Sequence, residues 1–138
     1  MPWPRILADL IVVVHAAFVM FVVLGLAAIL VGMALRWEWV RNPYFRIAHL
    51  SATGYVVAEA LTGVACPLTI WEDRLRRMSG QAGYPGDFVG FWAHRLIYFD
   101  APPWVFTLLY CLFGGAVLAV FLFAPPRWRK RSGEAPTA

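Results

Sequence analysis

Three long apolar stretches dominate the pattern of hydrophobic and polar positions along the chain. They cover residues 6–35, 44–66 and 102–124, and short segments rich in arginine, tryptophan and proline lie between or beyond them. An α-helix rises about 1.5 Å per residue, so each stretch is long enough for a helix that crosses the ~30 Å hydrocarbon core of a bilayer. The pattern therefore predicts an all-α membrane protein with three transmembrane helices.

The segment between the second and third stretches, residues 68–99, has a different pattern. In its first part apolar residues recur three and four positions apart, opposite charged pairs at i,i+4 spacing, which predicts an amphipathic helix. In its second part aromatic residues that include Phe88, Phe91 and Trp92 predict a helix of about 12 residues, which is too short to span a bilayer. We therefore expect two amphipathic interfacial helices, which form a lid over the spans.

The composition agrees with a membrane location. Of the 138 residues 61% are hydrophobic and 14% are charged, and the mean hydropathy is +0.64, outside the range of soluble globular domains. The length leaves room for a single integral membrane domain, which we place at residues 1–131, followed by a loose polar tail over 132–138. The net charge of +4 comes from basic residues outside the apolar stretches, so lipid headgroups are better partners than nucleic acid.

The distribution of basic residues predicts the orientation of the chain. With three spans, the first connecting loop and the C-terminus lie on the same side, and this side carries more arginine and lysine than the other. The positive-inside rule then predicts a cytoplasmic C-terminus and a lid on the outer side of the membrane. Four spans would reverse the side of the N-terminus, and this alternative stays open.

Several ionisable and polar side chains fall at membrane depth, where each requires a partner. On antiparallel spans we expect one polar cluster in the outer half of the bundle, formed by Asp9, His15, Glu59, Thr62 and Tyr110. The favoured interpretation of the cluster is structural, because interhelical hydrogen bonds hold helices together where lipid offers none.

Two kinds of cofactor site are alternatives to this interpretation. His15 and His49 lie on two facing spans and are candidate axial ligands for a haem b that is bound without covalent attachment. His15, Glu59 and, from the lid, His94 offer imidazole and carboxylate ligands for a divalent metal such as zinc or iron. No HExxH motif, Ser-His-Asp order, Walker loop or dinucleotide fingerprint accompanies these residues, so we assign no catalytic residue and favour a protein without enzymatic activity.

The arrangement of His15, His49, Glu59 and the stretch Cys66-Pro67-Leu68-Thr69 belongs to a pattern that extends over residues 7–127. This pattern resembles a bacterial family of small multi-pass inner-membrane proteins that is classified only as a domain of unknown function. The Cys-Pro-Leu-Thr stretch is its most specific part. The resemblance implies a location in the bacterial inner membrane, and it implies no catalytic residue.

The sequence thus indicates two classes of function. The first is a non-catalytic accessory or assembly subunit of a membrane complex, which associates with other subunits or with itself through an exposed face of small residues. This face lies either on the first span, with Gly25, Ala28 and Gly32, or on the third span, with Gly114, Gly115 and Ala119. The second is a haem-binding or other redox or metal-binding membrane protein that uses the histidines and Glu59. Gly115→Leu should disrupt assembly in the first case, whereas a histidine substitution should remove a bound cofactor in the second.

Overall fold

The computed structural model describes residues 2–83, 88–97 and 101–128, and within these ranges the regular structure is helical throughout. In these ranges five α-helices follow one another: α1 (Trp3–Ala34), α2 (Pro43–Thr62), α3 (Pro67–Met78), α4 (Phe88–Ile97) and α5 (Pro103–Phe123), with a short 3-10 helix (Trp39–Arg41) before α2. The predicted all-α fold is confirmed for the described residues. The predicted tail at 132–138 and the parts of the lid at 84–87 and 98–99 lie outside them.

Two of the helices are long and apolar enough to cross a bilayer by themselves, α1 with 32 residues and α5 with 21. The helix α2 meets the same criterion only together with α3, from which it is separated by a short break and a bend of 70°. The described part of the chain therefore has two candidate spans, or three if α2 and α3 form one broken span.

Glycine and proline set the break between α2 and α3. The helix α2 ends at Thr62 because Gly63 has a left-handed backbone, with φ of 69°, and such a glycine commonly ends a helix. The helix α3 begins at Pro67, in the first turn, where a missing N–H costs no helical hydrogen bond. As a result α2 is shorter than the predicted apolar stretch 44–66.

The helix α1 is the element against which the neighbouring helices are arranged. Its N-terminal half packs along α3, its C-terminal half is crossed by α2, and α5 packs on α2. One stripe of α1 is buried, and its members are Pro4, Ala8, His15, Val22, Gly25, Ile29 and Gly32. Gly25 allows a close approach of α2, because a Cβ atom there would overlap the His49 ring.

The interior of the bundle contains several polar and charged side chains beside small and branched apolar ones, whereas many large apolar side chains lie on its surface. The buried polar and charged residues are His15, Arg46, His49, Thr53, Thr69 and Glu72. Large apolar side chains lie on the outside, and Phe123 of α5 is 89% exposed. This arrangement suits lipid surroundings, in which polar groups must find partners inside the protein and apolar groups face the acyl chains. Together with the long apolar helices, it identifies a membrane protein.

Candidate functional site

Arg76 of α3 is the centre of a polar network between α1 and α3. Its Nε donates to Oε1 of Glu72 at 2.7 Å, its Nη1 donates to Oε1 of Gln81 at 3.2 Å, and its Nη2 donates to Oδ1 of Asp9 at 3.4 Å. The planar guanidinium group suits such multiple contacts because its donors point in fixed directions. Arg76 thus joins the start of α1, the middle of α3 and the segment that follows α3.

Glu72 and His15 form the buried part of this network. Glu72 has no exposed surface, and His15 is 5% exposed. The Glu72 carboxylate is paired with Arg76 and also acts electrostatically on the His15 imidazole of α1. A carboxylate without water is stable only with such partners, so the contacts explain how α3 keeps an acidic residue in the interior.

The sequence places the inward side chains of α3 on one face. Thr69, Glu72 and Arg76 follow one another at intervals of three and four residues, which is the spacing of one helix face. This face lies against α1, whereas Ile70 and Trp71 are exposed on the opposite side, 49% and 58% respectively. The helix α3 therefore directs Thr69, Glu72 and Arg76 into the protein and presents Ile70, Trp71 and Arg74 outward.

A cavity of about 300 Å³ lies beside the network. It is lined by residues of α3, of the following segment and of α4, namely Glu72, Arg76, Ala82, Gly83, Phe91, Trp92 and Arg95. The rings of Phe91 and Trp92 meet edge to face, with centroids 5.8 Å apart. Two guanidinium groups and two aromatic rings thus border the same space, which makes this end of the molecule the candidate site for a ligand.

His49 occupies a second buried position, at the crossing of α1 and α2. Its Nε2 lies 2.7 Å from the backbone oxygen of Val22, and because a carbonyl oxygen only accepts, Nε2 carries the proton. The ring is surrounded by Gly25, Phe21 and Phe45. Its Nδ1 is buried and has no hydrogen-bond partner among the described residues.

Arg46 joins α2 to α5 by hydrogen bonds to backbone oxygens, as His49 joins α2 to α1. It is 2% exposed, and its Nη2 donates to the backbone oxygens of Val120 at 3.0 Å and Ala124 at 2.9 Å. The Val120 oxygen also accepts from the backbone N–H of Ala124 at 3.0 Å. Carbonyl groups at a helix C-terminus carry partial negative charge, so a buried cation is favourable there. The guanidinium group therefore caps the C-terminal end of α5.

Sequence reasoning did not assign these roles to Arg46 and Glu72. The available signal was their spacing: Arg46, His49 and Thr53 lie on one face of α2, as Thr69, Glu72 and Arg76 do on α3. A polar face on a helix of an apolar protein indicates the side that is turned inward. Used in this way, the pattern identifies all the buried polar residues of both helices.

The residues of the predicted polar cluster are distributed over several helices. Asp9 and His15 belong to the network with α3. Glu59 lies near the end of α2, where it interacts with Tyr55 and Cys66. The Thr62 hydroxyl donates to backbone oxygens within α2, and Tyr110 is half-buried on α5.

The candidate metal ligands are likewise on separate elements. His15 is buried on α1, Glu59 is half-buried on α2, and His94 is exposed on α4. Within residues 2–83, 88–97 and 101–128, no three His, Cys, Asp or Glu side chains are grouped so as to hold a metal ion. Cys66 and Cys111 are both free thiols.

Comparison with known proteins gives a family but no individual relative. No curated protein matches the chain, and no solved structure does. The family model described as Protein of Unknown function (DUF2784) matches residues 5–126 of the 138. This match confirms the resemblance to a family of unknown function that the sequence indicated over residues 7–127. The chain therefore belongs to the DUF2784 family of proteins of unknown function.

Proposed function

We propose that the protein is a non-catalytic accessory subunit that assembles with other membrane proteins through the exposed face of α5. The observation that carries this proposal is the environment of Gly115, where a Cβ atom would meet nothing within 4 Å. Leu108, Leu112 and Leu122 are exposed on the same side of the helix. A small residue among leucines forms a shallow depression into which a transmembrane helix of another subunit fits closely.

The adjacent glycine shows how this chain uses such a position within its own bundle. A Cβ atom on Gly114 would lie 2.5 Å from Cγ2 of Val57, so the absence of a side chain there allows α5 to pack against α2. Gly115 is turned away from this contact. The two glycines thus serve two different surfaces of α5, and only the Gly114 surface is covered by the described chain.

The contacts of the buried polar groups also support a subunit without catalytic activity. Arg46 caps α5, His49 joins α2 to α1, and Arg76 joins α3 to α1. Each of these side chains donates its hydrogen bonds to groups of the same chain. Interhelical bonds of this kind hold transmembrane helices in register, and they explain why ionisable residues are present inside the bundle.

Co-purification from membranes tests the assembly proposal. Gly115→Leu should lower the yield of co-purified subunits about tenfold, which corresponds to ~1.4 kcal/mol of association free energy. Gly54→Leu is the matched control, because Gly54 also has nothing within 4 Å of its Cβ position but lies on α2. Both substitutions improve helix propensity. Unchanged co-purification by the Gly115→Leu protein would contradict the proposal.

We further place the protein in the bacterial inner membrane, with α2 and α3 together forming the second of three spans, α4 at the interface and the C-terminus in the cytoplasm. The arginine-rich connection after α1 and the end of α5 lie at the same end of the molecule, where the backbone N–H of Arg127 donates to the oxygen of Arg41 at 3.0 Å. Basic residues concentrated at one end favour its cytoplasmic location.

Haem b or metal binding is the second candidate function. The observation in its favour is that His15 and His49 are both buried and that Nδ1 of His49 has no hydrogen-bond partner among the described residues. Iron ligation through Nε2 would first have to break the bond from His49 to Val22. An absorption spectrum before and after dithionite reduction, with metal analysis, tests this function. A Soret band that shifts on reduction would support it, and a featureless spectrum without stoichiometric metal would contradict it.

A further inference from the structure

We propose that the cavity between α3 and α4 binds the phosphate group of an amphipathic molecule and that Arg95 is the residue that holds this group. This inference goes beyond assembly through α5. It concerns the other side of the molecule, where the polar network meets α4.

The charges that line the cavity favour an anion. They comprise the carboxylate of Glu72 and the guanidinium groups of Arg76 and Arg95. Arg76 is already paired within the chain, with Glu72 at 2.7 Å and with Asp9 at 3.4 Å. Arg95 forms no ion pair with any described residue, and its guanidinium group borders the same space. A guanidinium group binds phosphate through two parallel hydrogen bonds, which adds geometric selectivity to the charge.

The aromatic residues of the same cavity favour a ligand that also has an apolar part. Phe91 and Trp92 lie on α4 one turn before Arg95 and line the space with it. The two rings give the cavity an apolar wall beside its guanidinium groups, which suits the apolar part of such a ligand. A molecule with a phosphate group and an apolar portion therefore satisfies both parts of the lining.

The size of the cavity limits which part of the ligand it encloses. A volume of about 300 Å³ is at the lower end of the range for small-molecule pockets. It accommodates a phosphate ester of a small alcohol, such as the headgroup of a phospholipid, while acyl chains remain outside the cavity. A free phosphate ester and a lipid headgroup present the same chemistry to Arg95, and experiment distinguishes them.

Binding by the full chain, purified in a mild detergent, tests the proposal. The probes are dihexanoyl phosphatidylglycerol, glycerol 3-phosphate and inorganic phosphate, each titrated while the dissociation constant is measured by calorimetry. We expect phosphatidylglycerol to bind and Arg95→Gln to weaken binding about tenfold to a hundredfold, the loss typical of a hydrogen-bonded charge. Arg95→Lys should recover part of the affinity, because it restores the charge without the planar fork.

Arg74→Gln is the matched control, since Arg74 is exposed on the outward face of α3 and does not line the cavity. It should leave the dissociation constant within about twofold of the wild-type value. Equal binding of glycerol 3-phosphate and phosphatidylglycerol would assign the site to a free phosphate ester, whereas binding of phosphatidylglycerol alone would assign it to lipid. The proposal is overturned if none of the probes binds the wild type, or if Arg74→Gln and Arg95→Gln weaken binding equally.

Discussion

The Nε2–H group of His49 donates a 2.7 Å hydrogen bond to the backbone oxygen of Val22, and the imidazole ring rests directly on Gly25. This contact fixes the point at which α2 crosses α1. The contact combines a hydrogen bond with a close approach of the two helices. The hydrogen bond depends on the close approach, and the close approach leaves the buried imidazole dependent on the hydrogen bond. Without a side chain at Gly25 the ring reaches the carbonyl group, and without the bond the buried imidazole would lack a partner for its proton.

A double-mutant cycle measures this relationship. Gly25→Ala should lower the free energy of unfolding by about 1–3 kcal/mol, because the new methyl group overlaps the His49 ring. In a His49→Ala protein the same substitution should be nearly neutral, since the ring is no longer there. Thermal unfolding in detergent, followed by near-ultraviolet circular dichroism, provides the comparison. An equal cost of Gly25→Ala in both backgrounds would show that ring and glycine are not in contact.

The two ion pairs of α3 predict a large difference between adjacent arginines. Arg76 and Arg77 each donate to a carboxylate four residues earlier at 2.7 Å, but the carboxylate of Glu72 has no exposed surface whereas the Arg77 side chain is 72% exposed. Arg76→Met should therefore cost about 3–5 kcal/mol, because it leaves a buried charge without its partner. Arg77→Met should cost less than about 1 kcal/mol.

Chemical unfolding of both variants in the same detergent checks this prediction. Adding Glu72→Gln to the Arg76→Met protein should recover part of the lost stability, because the amide carries no charge. Similar costs for the two arginine substitutions would mean that the interior position of Glu72 has no energetic consequence.

The cap that Arg46 provides for α5 predicts local fraying. Arg46→Met removes two hydrogen bonds from a charged donor to the oxygens of Val120 and Ala124, at a cost of about 1.5–3 kcal/mol. Amide hydrogen exchange, measured by mass spectrometry, should accelerate in the last turn of α5 and remain slower in its centre. The exposed Arg5 supplies the control, since Arg5→Met should leave the exchange of α5 unchanged. Uniform acceleration along α5 would argue against a local cap.

Cysteine labelling decides whether α2 and α3 cross the membrane together. Glu38 precedes α2, Ala82 follows α3, and both are exposed. In a protein that lacks the native thiols, with Cys66 and Cys111 replaced by alanine, Glu38→Cys and Ala82→Cys should react with a membrane-impermeant maleimide from opposite sides. We expect Ala82→Cys to react in intact cells and Glu38→Cys only after permeabilisation. Reaction from the same side would mean that α2 and α3 re-enter the membrane without crossing it.

The helices α1 and α5 are predictable from sequence because a helix that crosses lipid needs an apolar stretch of about 20 residues. Long uninterrupted apolar stretches meet this requirement, and the structure places α1 and α5 close to the predicted stretches 6–35 and 102–124. The end of α2 shows where this reasoning loses precision. Gly63 was a recognisable terminator, but the apolar residues that follow it, Val64 and Ala65, make the stretch appear to continue.

The polar network around Arg76 was not predictable in the same way, because it depends on the direction in which the chain bends between α2 and α3. Estimating depth from residue number assumes straight spans and a lid outside the membrane. The 70° bend instead carries α3 along the N-terminal half of α1, so that Glu72 lies near His15 and Arg76 near Asp9. The sequence marks the position of the break through Gly63 and Pro67, but it does not state in which direction the chain continues.

The bonds from Arg46 to the end of α5 also have a consequence for biosynthesis. Their acceptors are 74 and 78 residues further along the chain, so they do not yet exist when α2 leaves the ribosome. The apolar α1 can enter the bilayer by itself. Nascent α2, in contrast, carries Arg46, whose guanidinium group would enter the lipid without its hydrogen-bond acceptors on α5. We therefore expect α2 to wait at the translocon until α5 has been synthesised, and the two helices to move into the lipid as a pair.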